Sequence, residues 1–204
     1  MKKMMFNDRY GLTKAVLEGR KTMTRREISG HPLLPNDHIE EALFFDGRIQ
    51  IVANGGETCM EVKCPYKVGE IVAVAQSYEQ VYQENGLETM AMLVSGMKGS
   101  AGWKNKMFVR ADLMPHQIRI TGIRCELLQD ISNEDCMREG IEPMEVYEKL
   151  WSKFPKTMYR NPVYKGLIES DPRESFASLI DMVSGRGTWK NNPWVLVYEF
   201  ELEK

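Results

Sequence analysis

Lys21, Thr22 and Thr24 lie in the stretch GRKTMTRR, residues 19–26, alongside Arg20, Arg25 and Arg26. Cations this close together are suited to holding a phosphate or another anion, and the threonine hydroxyls would then hydrogen-bond locally. A second chemistry is open to the same residues. A threonine hydroxyl attacks a carbonyl only when a base takes its proton, and a lysine can be that base only if its pKa falls from about 10.4 toward neutrality. Three arginines close in sequence push it that way, and so would partial burial. Backbone amides of the turn at Gly19 are candidates to stabilise a tetrahedral oxyanion.

The elements that must position this cluster are mostly strands. ALFFDGRIQIV is an apolar run, an Asp46-Gly47 pair and an alternating run, which predicts a two-residue hairpin. CMEVKC, VGEIVAVAQ and the C-terminal PWVLVYEFELEK read as further strands, the last with Leu196, Tyr198, Phe200 and Leu202 on one face. In HQIRITGIRCELL the alternation changes phase across Thr121-Gly122, which predicts a bulge or sharp bend. Helices are fewer. NDRYGLTKAVLEG ends at Gly19, so the basic cluster begins where a helix stops. ISNEDCMREGI has Ser132 as cap and Gly140 as stop, PMEVYEKLWSKF places Tyr147, Leu150, Trp151 and Phe154 on one face, and DPRESFASLIDMVSG carries Asp171 as cap, Pro172 at the first turn, Glu174 completing a capping box and a stripe of Phe176, Leu179, Ile180 and Val183. Residues 94–106 and 155–170 read as long surface loops.

The chain has 204 residues, 43% of them hydrophobic, enough for one sizeable core and one domain. Its net charge of −2 removes any general attraction for a polyanion, so an anion site must be local. Thirteen of the 27 basic residues fall in three stretches without a single acid, residues 19–26, 89–111 and 149–168. Aromatics lie within two of these, Trp103 in one and Trp151, Phe154, Tyr159 and Tyr164 in the other. Cations for phosphate and aromatic faces for bases suit a single-stranded nucleic acid or a nucleotide. Solvated loops with aromatic anchors would give the same pattern. Four cysteines without a CxxC pair and three histidines without ligand spacing give no metal site, and no cofactor motif is present. No run reaches the roughly 18 apolar residues of a membrane span and the first residues carry no apolar signal core, so a cytoplasmic protein with reduced thiols is expected.

EGRKTMTRR after a short helix, YKVGEIVAV entering a strand and RITGIRCELLQDISNEDCMREGI resemble the ASCH domain of the PUA-like superfamily, particularly its phage and prophage-type members. The resemblance covers roughly Met5 to Ile141 and the final strand. It implies an α+β fold built on a small mixed β-barrel with peripheral short helices. Residues 1–204 would form a single domain, with inserted loops near 76–106 and 143–175. It also implies a cleft lined by the GxKTxT-type loop and an RNA- or nucleoside-related role; with the charge and aromatic pattern, the binding residues expected for RNA, a nucleotide or a nucleoside are Arg20, Thr22, Arg25, Arg26, Trp103, Lys104 and Lys106, Arg25 and Arg26 with exposed heads. One branch of the family removes the acetyl group from N4-acetylcytidine with a lysine, a threonine and a glutamate. The matching positions are Lys21, Thr24 and Glu139, which makes an amidohydrolase the alternative reading. The chain is about twice the length those compact enzymes need. Where many phage-type members have Arg-Glu-Thr-aromatic, it has Ala75, Gln76, Ser77 and Tyr78. A ribonuclease is a weaker third reading, since no histidine pair suited to metal-free RNA cleavage is evident.

Overall fold

The computed structural model describes residues 1–28, 39–45, 48–53, 55–56, 58–85, 97–145 and 157–203. Its main sheet has five strands, β1 (Lys2–Met4), β2 (Met23–Glu27), β6 (Ile71–Val74), β7 (Gln117–Leu127) and β11 (Trp194–Leu202), in the order β1-β6-β7-β11-β2. Only the β1/β6 pair is parallel. β7 and β11 form its long spine, from Trp194 opposite Leu127 to Leu202 opposite Ile118. The ladder slips between Glu199 and Phe200, where Gly122 and Ile120 are successive partners and Thr121 is left over. This is the bulge that the change of phase predicted. On β11, Leu196, Tyr198 and Phe200 are buried as expected, and so are Val195 and Val197, because both faces of this strand are covered.

β3 (Ile39–Phe45), β4 (Arg48–Ala53) and β5 (Thr58–Lys63) form an antiparallel sheet in which Phe45 pairs with Arg48. That register fits the expected hairpin, whose turn residues lie outside the described ones. Ile49, Ile51 and Val62 carry this sheet into the same core as Val72, Ile118, Ile120 and Tyr198. The last sheet, β8 (Pro143–Glu145), β9 (Thr157–Arg160) and β10 (Ile168–Glu169), corrects two expectations. Residues 143–145 are strand, not the start of a helix, because they pair with β9; the remainder of that expected helix, with Trp151 and Phe154, lies outside the described residues. The expected loop at 155–170 is mostly the β9–β10 hairpin.

Among the described residues, the helices α1 (Leu12–Leu17), α2 (Tyr78–Asn85), α3 (Asn133–Arg138), α4 (Pro172–Ser184) and α5 (Thr188–Asn191) pack around the sheets. The first expected helix is broken. Gly11, at φ 69°, separates a single 3₁₀ turn over Asp8–Tyr10 from α1. The caps of α3 and α4 form as read, Ser132 accepting from the Asp135 amide and Asp171 from that of Arg173. The capping box expected at Glu174 is altered, since the Asp171 carboxylate accepts from the Arg173 amide while the Glu174 amide donates to the Asp171 carbonyl.

The described chain is thus an α+β fold of sheets with few helices. Among the described residues no strand pairing joins the outer strands β1 and β2. The sheet nevertheless curls, since Arg26 Nη2 on β2 donates to the carbonyl of Met5, the residue after β1, at 2.7 Å. No helix among the described residues is long and apolar enough to cross a membrane.

Candidate functional site

Gly19 turns the chain at φ 72°, and the amides of Arg20 and Lys21 both donate to the Ala15 carbonyl at 2.9 Å, wrapping the cluster tightly over the end of α1. Thr22 then pins the loop: its amide donates to the Arg138 carbonyl, its own carbonyl accepts from Phe200, and Arg138 Nε donates to its hydroxyl. These bonds set β2 beside the end of α3, where Glu139 sits. Gly140 follows at φ 105°, a conformation suited to glycine. A Cβ there would lie 3.5–3.7 Å from Leu12, Ala15 and the Cβ of Lys21, so the corner after α3 fits closely against the lysine's own segment.

The result is a direct contact between residues 118 positions apart. Lys21 Nζ donates to the Glu139 carboxylate at 2.5 Å and to the Glu139 backbone carbonyl at 2.8 Å. Lys21 is 2% exposed and Glu139 4%. Phe6 adds a ring 6.0 Å from the ammonium. Burial pushes the Lys21 pKa below its ordinary value; the Glu139 carboxylate opposes this, while Arg26 and Arg25 reinforce it.

Arg25 corrects the expectation of an exposed, phosphate-binding head. Its side chain is fully buried and meets three carboxylates, Glu126 at 2.6 Å, Asp135 at 2.9 Å and Glu139 at 3.1 Å. Burial works against its charge, but Glu139 and Glu126 outweigh that and raise its pKa. Arg124 continues the network, bonding Asp135 at 2.5 Å and also Glu126 and Glu199, and Arg138 reaches Glu199 at 3.0 Å. Strand alternation separates Met23 and Arg25 from Thr24 and Arg26 on β2, and Arg25 Nη1 contacts the Met23 sulfur on their common face.

Thr24 is 6% exposed and lines a pocket of about 120 Å³ with Lys21, Glu139 and Arg26. Among the described residues its hydroxyl has no direct hydrogen bond to Lys21, so a proton passing between them needs a water or the substrate as bridge. The structure thus brings Lys21, Thr24, Glu139, Arg25 and Arg26 together. It does not bring the other expected binding residues to this pocket. Arg20 pairs with Glu18 and Glu142 and lines a separate, larger pocket of about 260 Å³ beside Lys14 and Arg160, which contains none of Lys21, Thr24 and Glu139. Lys106 pairs with Asp8 at 2.8 Å and donates to the Phe6 carbonyl, bracing the segment that bears Phe6. Lys104 is exposed. Trp103 packs on Tyr82, ring centres 5.9 Å apart with Lys98 over both rings, in a second cluster around Tyr78 and Val81.

Reading the sequence alone missed Phe6 and the acids Glu126 and Asp135. The signal for Arg25 was its alternation with Thr24, which a strand over residues 23–27 would have exposed. Among the described residues no group of three or more His, Cys, Asp or Glu side chains is arranged to hold a metal. Family models, curated proteins and solved structures offer no match to this chain.

Proposed function

We propose that this protein is an amidohydrolase of the ASCH type, acting on the acylated exocyclic nitrogen of a modified nucleoside such as N4-acetylcytidine. One observation carries the reading: a buried lysine with a lowered pKa is held by Glu139 in the pocket that also presents Thr24. In its neutral form Lys21 takes the Thr24 proton through a bridging water, and the Thr24 oxygen attacks the acyl carbon. The lysine, now an ammonium, returns that proton to the leaving nitrogen. Water then hydrolyses the threonyl ester, releasing the carboxylic acid and restoring the hydroxyl. Glu139 fixes the lysine through two N–H bonds, so the lone pair of the neutral amine is the site left to take the proton, and the N–H formed there is the one that returns it. The Arg26 bridge between β2 and Met5 supports the same architecture, a curled sheet of the PUA-like barrel kind.

Binding of single-stranded RNA or a nucleotide gains less support. Arg25 and Lys106, at buried and half-buried positions, pair with acids, and Arg20 pairs with the surface acids Glu18 and Glu142, leaving Arg26 and Lys104 beside Arg20 as the exposed cations of the expected set. The test is release of acetate from N4-acetylcytidine by the purified protein. Turnover that Lys21→Ala and Thr24→Ala each abolish, with the fold retained by circular dichroism, is the expected result. An intact protein without turnover on acylated nucleosides would overturn the proposal.

A further inference from the structure

The pocket of Lys21, Thr24 and Glu139 has a second wall of a different character. Leu179, Ile180 and Val183 project into it from α4 at helical spacing. Their exposure is graded, 3%, 8% and 38%, so the stripe leads from the interior out to solvent. The charges of α4 lie away from this wall: Arg173 donates to the Gln129 carbonyl, Asp181 accepts from the amides of Gly187 and Trp189, and Glu174 in the first turn is not among the pocket's lining residues. The cavity is therefore two-sided, with an amide-handling wall on β2 and α3 facing an aliphatic wall on α4.

Size decides what meets the aliphatic wall. At about 120 Å³ the pocket is well below the roughly 300–1,000 Å³ of a site that engulfs a whole drug-sized ligand. It has room for the acyl group and the amide, while sugar and most of the base stay at the mouth beside Arg26 and Glu27, which also line it. An acetyl methyl group would cover little of a three-residue stripe. We infer that the α4 wall is an acyl-chain subsite, and that the preferred substrates are amides of short linear fatty acids longer than acetate. This deepens the hydrolase reading and rests on it for the reaction, although chain recognition by the wall can be measured without turnover.

The experiment has two arms. In the first, calorimetry follows binding of acetate, propionate, butyrate and pentanoate to the intact protein, each carboxylate standing for the acid product beside Lys21. Affinity should rise by about fourfold per methylene until the wall is covered. Val183→Asp, a change at an exposed position that the fold should tolerate, should flatten that rise. Equal affinities along the series, no binding of any member, or a rise unaltered by Val183→Asp would overturn the subsite. In the second arm, N4-acetyl, N4-propionyl and N4-butyryl cytidine are compared as substrates. Hydrolysis with kcat/KM increasing along the series supports the inference. Hydrolysis that is indifferent to chain length overturns it and leaves the reaction standing. A graded carboxylate series without hydrolysis of any amide overturns the reaction and leaves the subsite standing.

Discussion

Replacing Glu139 with glutamine tests the centre of the site, because it keeps size and removes only charge. Lys21 would then be a buried ammonium with its carboxylate partner at 2.5 Å neutralised, and Arg25 would keep two of its three acids. Breaking a buried ion pair by removing one partner costs about 3–5 kcal/mol. With an m-value of about 2–3 kcal/mol per molar for urea, the unfolding midpoint at pH 7 should fall by about 1–2.5 M. The pH dependence carries the sharper test. Lys21 already has a folded pKa below its unfolded value. Glu139 is the main group holding that pKa up, so the substitution lowers it further. Between the folded and unfolded pKa values the unfolded chain binds more protons, and stability rises with pH. In the variant this rise should begin at a lower pH than in the wild type. The stability gap should therefore be widest where Lys21 is protonated in both folded proteins and shrink as pH rises from the folded pKa of the variant to that of the wild type. Urea melts at pH 6, 7, 8, 9 and 10 would measure it. A gap constant across that range, or a variant as stable as the wild type at pH 7, would refute the picture of a buried lysine held charged by Glu139.

Arg25→Met removes the cation shared by Glu126, Asp135 and Glu139, which keep only Arg124, Arg138 and Lys21, and should cost about 3–5 kcal/mol, whereas Arg26→Ala should cost about 0.5 kcal/mol or less; thermal melts of the two single variants distinguish them. Gly140→Ala meets no steric clash but must hold an alanine at φ 105°, and should lose about 1–2 kcal/mol by denaturant unfolding. Trp103→Ala should lower the melting temperature while leaving ligand affinity at the Lys21 pocket unchanged, since the ring packs on Tyr82 in the second cluster and calorimetry on the folded variant reads the site alone. Burial pushes the Cys125 and Cys136 thiols up to about 12, so both should resist iodoacetamide at pH 8 and react only on unfolding, as mass spectrometry would show.

Local signals were legible in the sequence because local physics sets them. Ser132 and Asp171 cap helices through bonds to amides two or three residues on, Gly19 takes the left-handed turn, and Thr121 is the odd residue of a bulge whose change of phase is written in the apolar pattern. Where tertiary pairing decides, the local reading failed. Pro143–Glu145 reads as a helix start until Thr157–Arg160 is placed beside it, and Gly11 breaks α1 at a position that apolar spacing alone passes over.

The basic cluster is the instructive case, since its charges were legible and their purpose was not. Four cations in a stretch without acids suggested an external anion. The acids that answer three of them, Arg20, Lys21 and Arg25, come chiefly from β7, α3 and the turn beyond it, Glu126, Asp135, Glu139 and Glu142, with Glu18 beside Arg20. Segregation of charge along a chain says nothing about segregation in space when the sheet order β7-β11-β2 puts residues a hundred positions apart on facing elements. The pairing also explains why one cluster serves two ends. Arg25, with no exposure and three partners, fixes the Oε1 side of Glu139; the Oε2 side is thereby aimed at Lys21, and the lysine is held at the pocket on the open edge of β2. Burying an arginine among carboxylates is a poor way to gain stability. It is an effective way to immobilise a carboxylate, and the immobilised carboxylate is what lets a desolvated lysine stay beside Thr24.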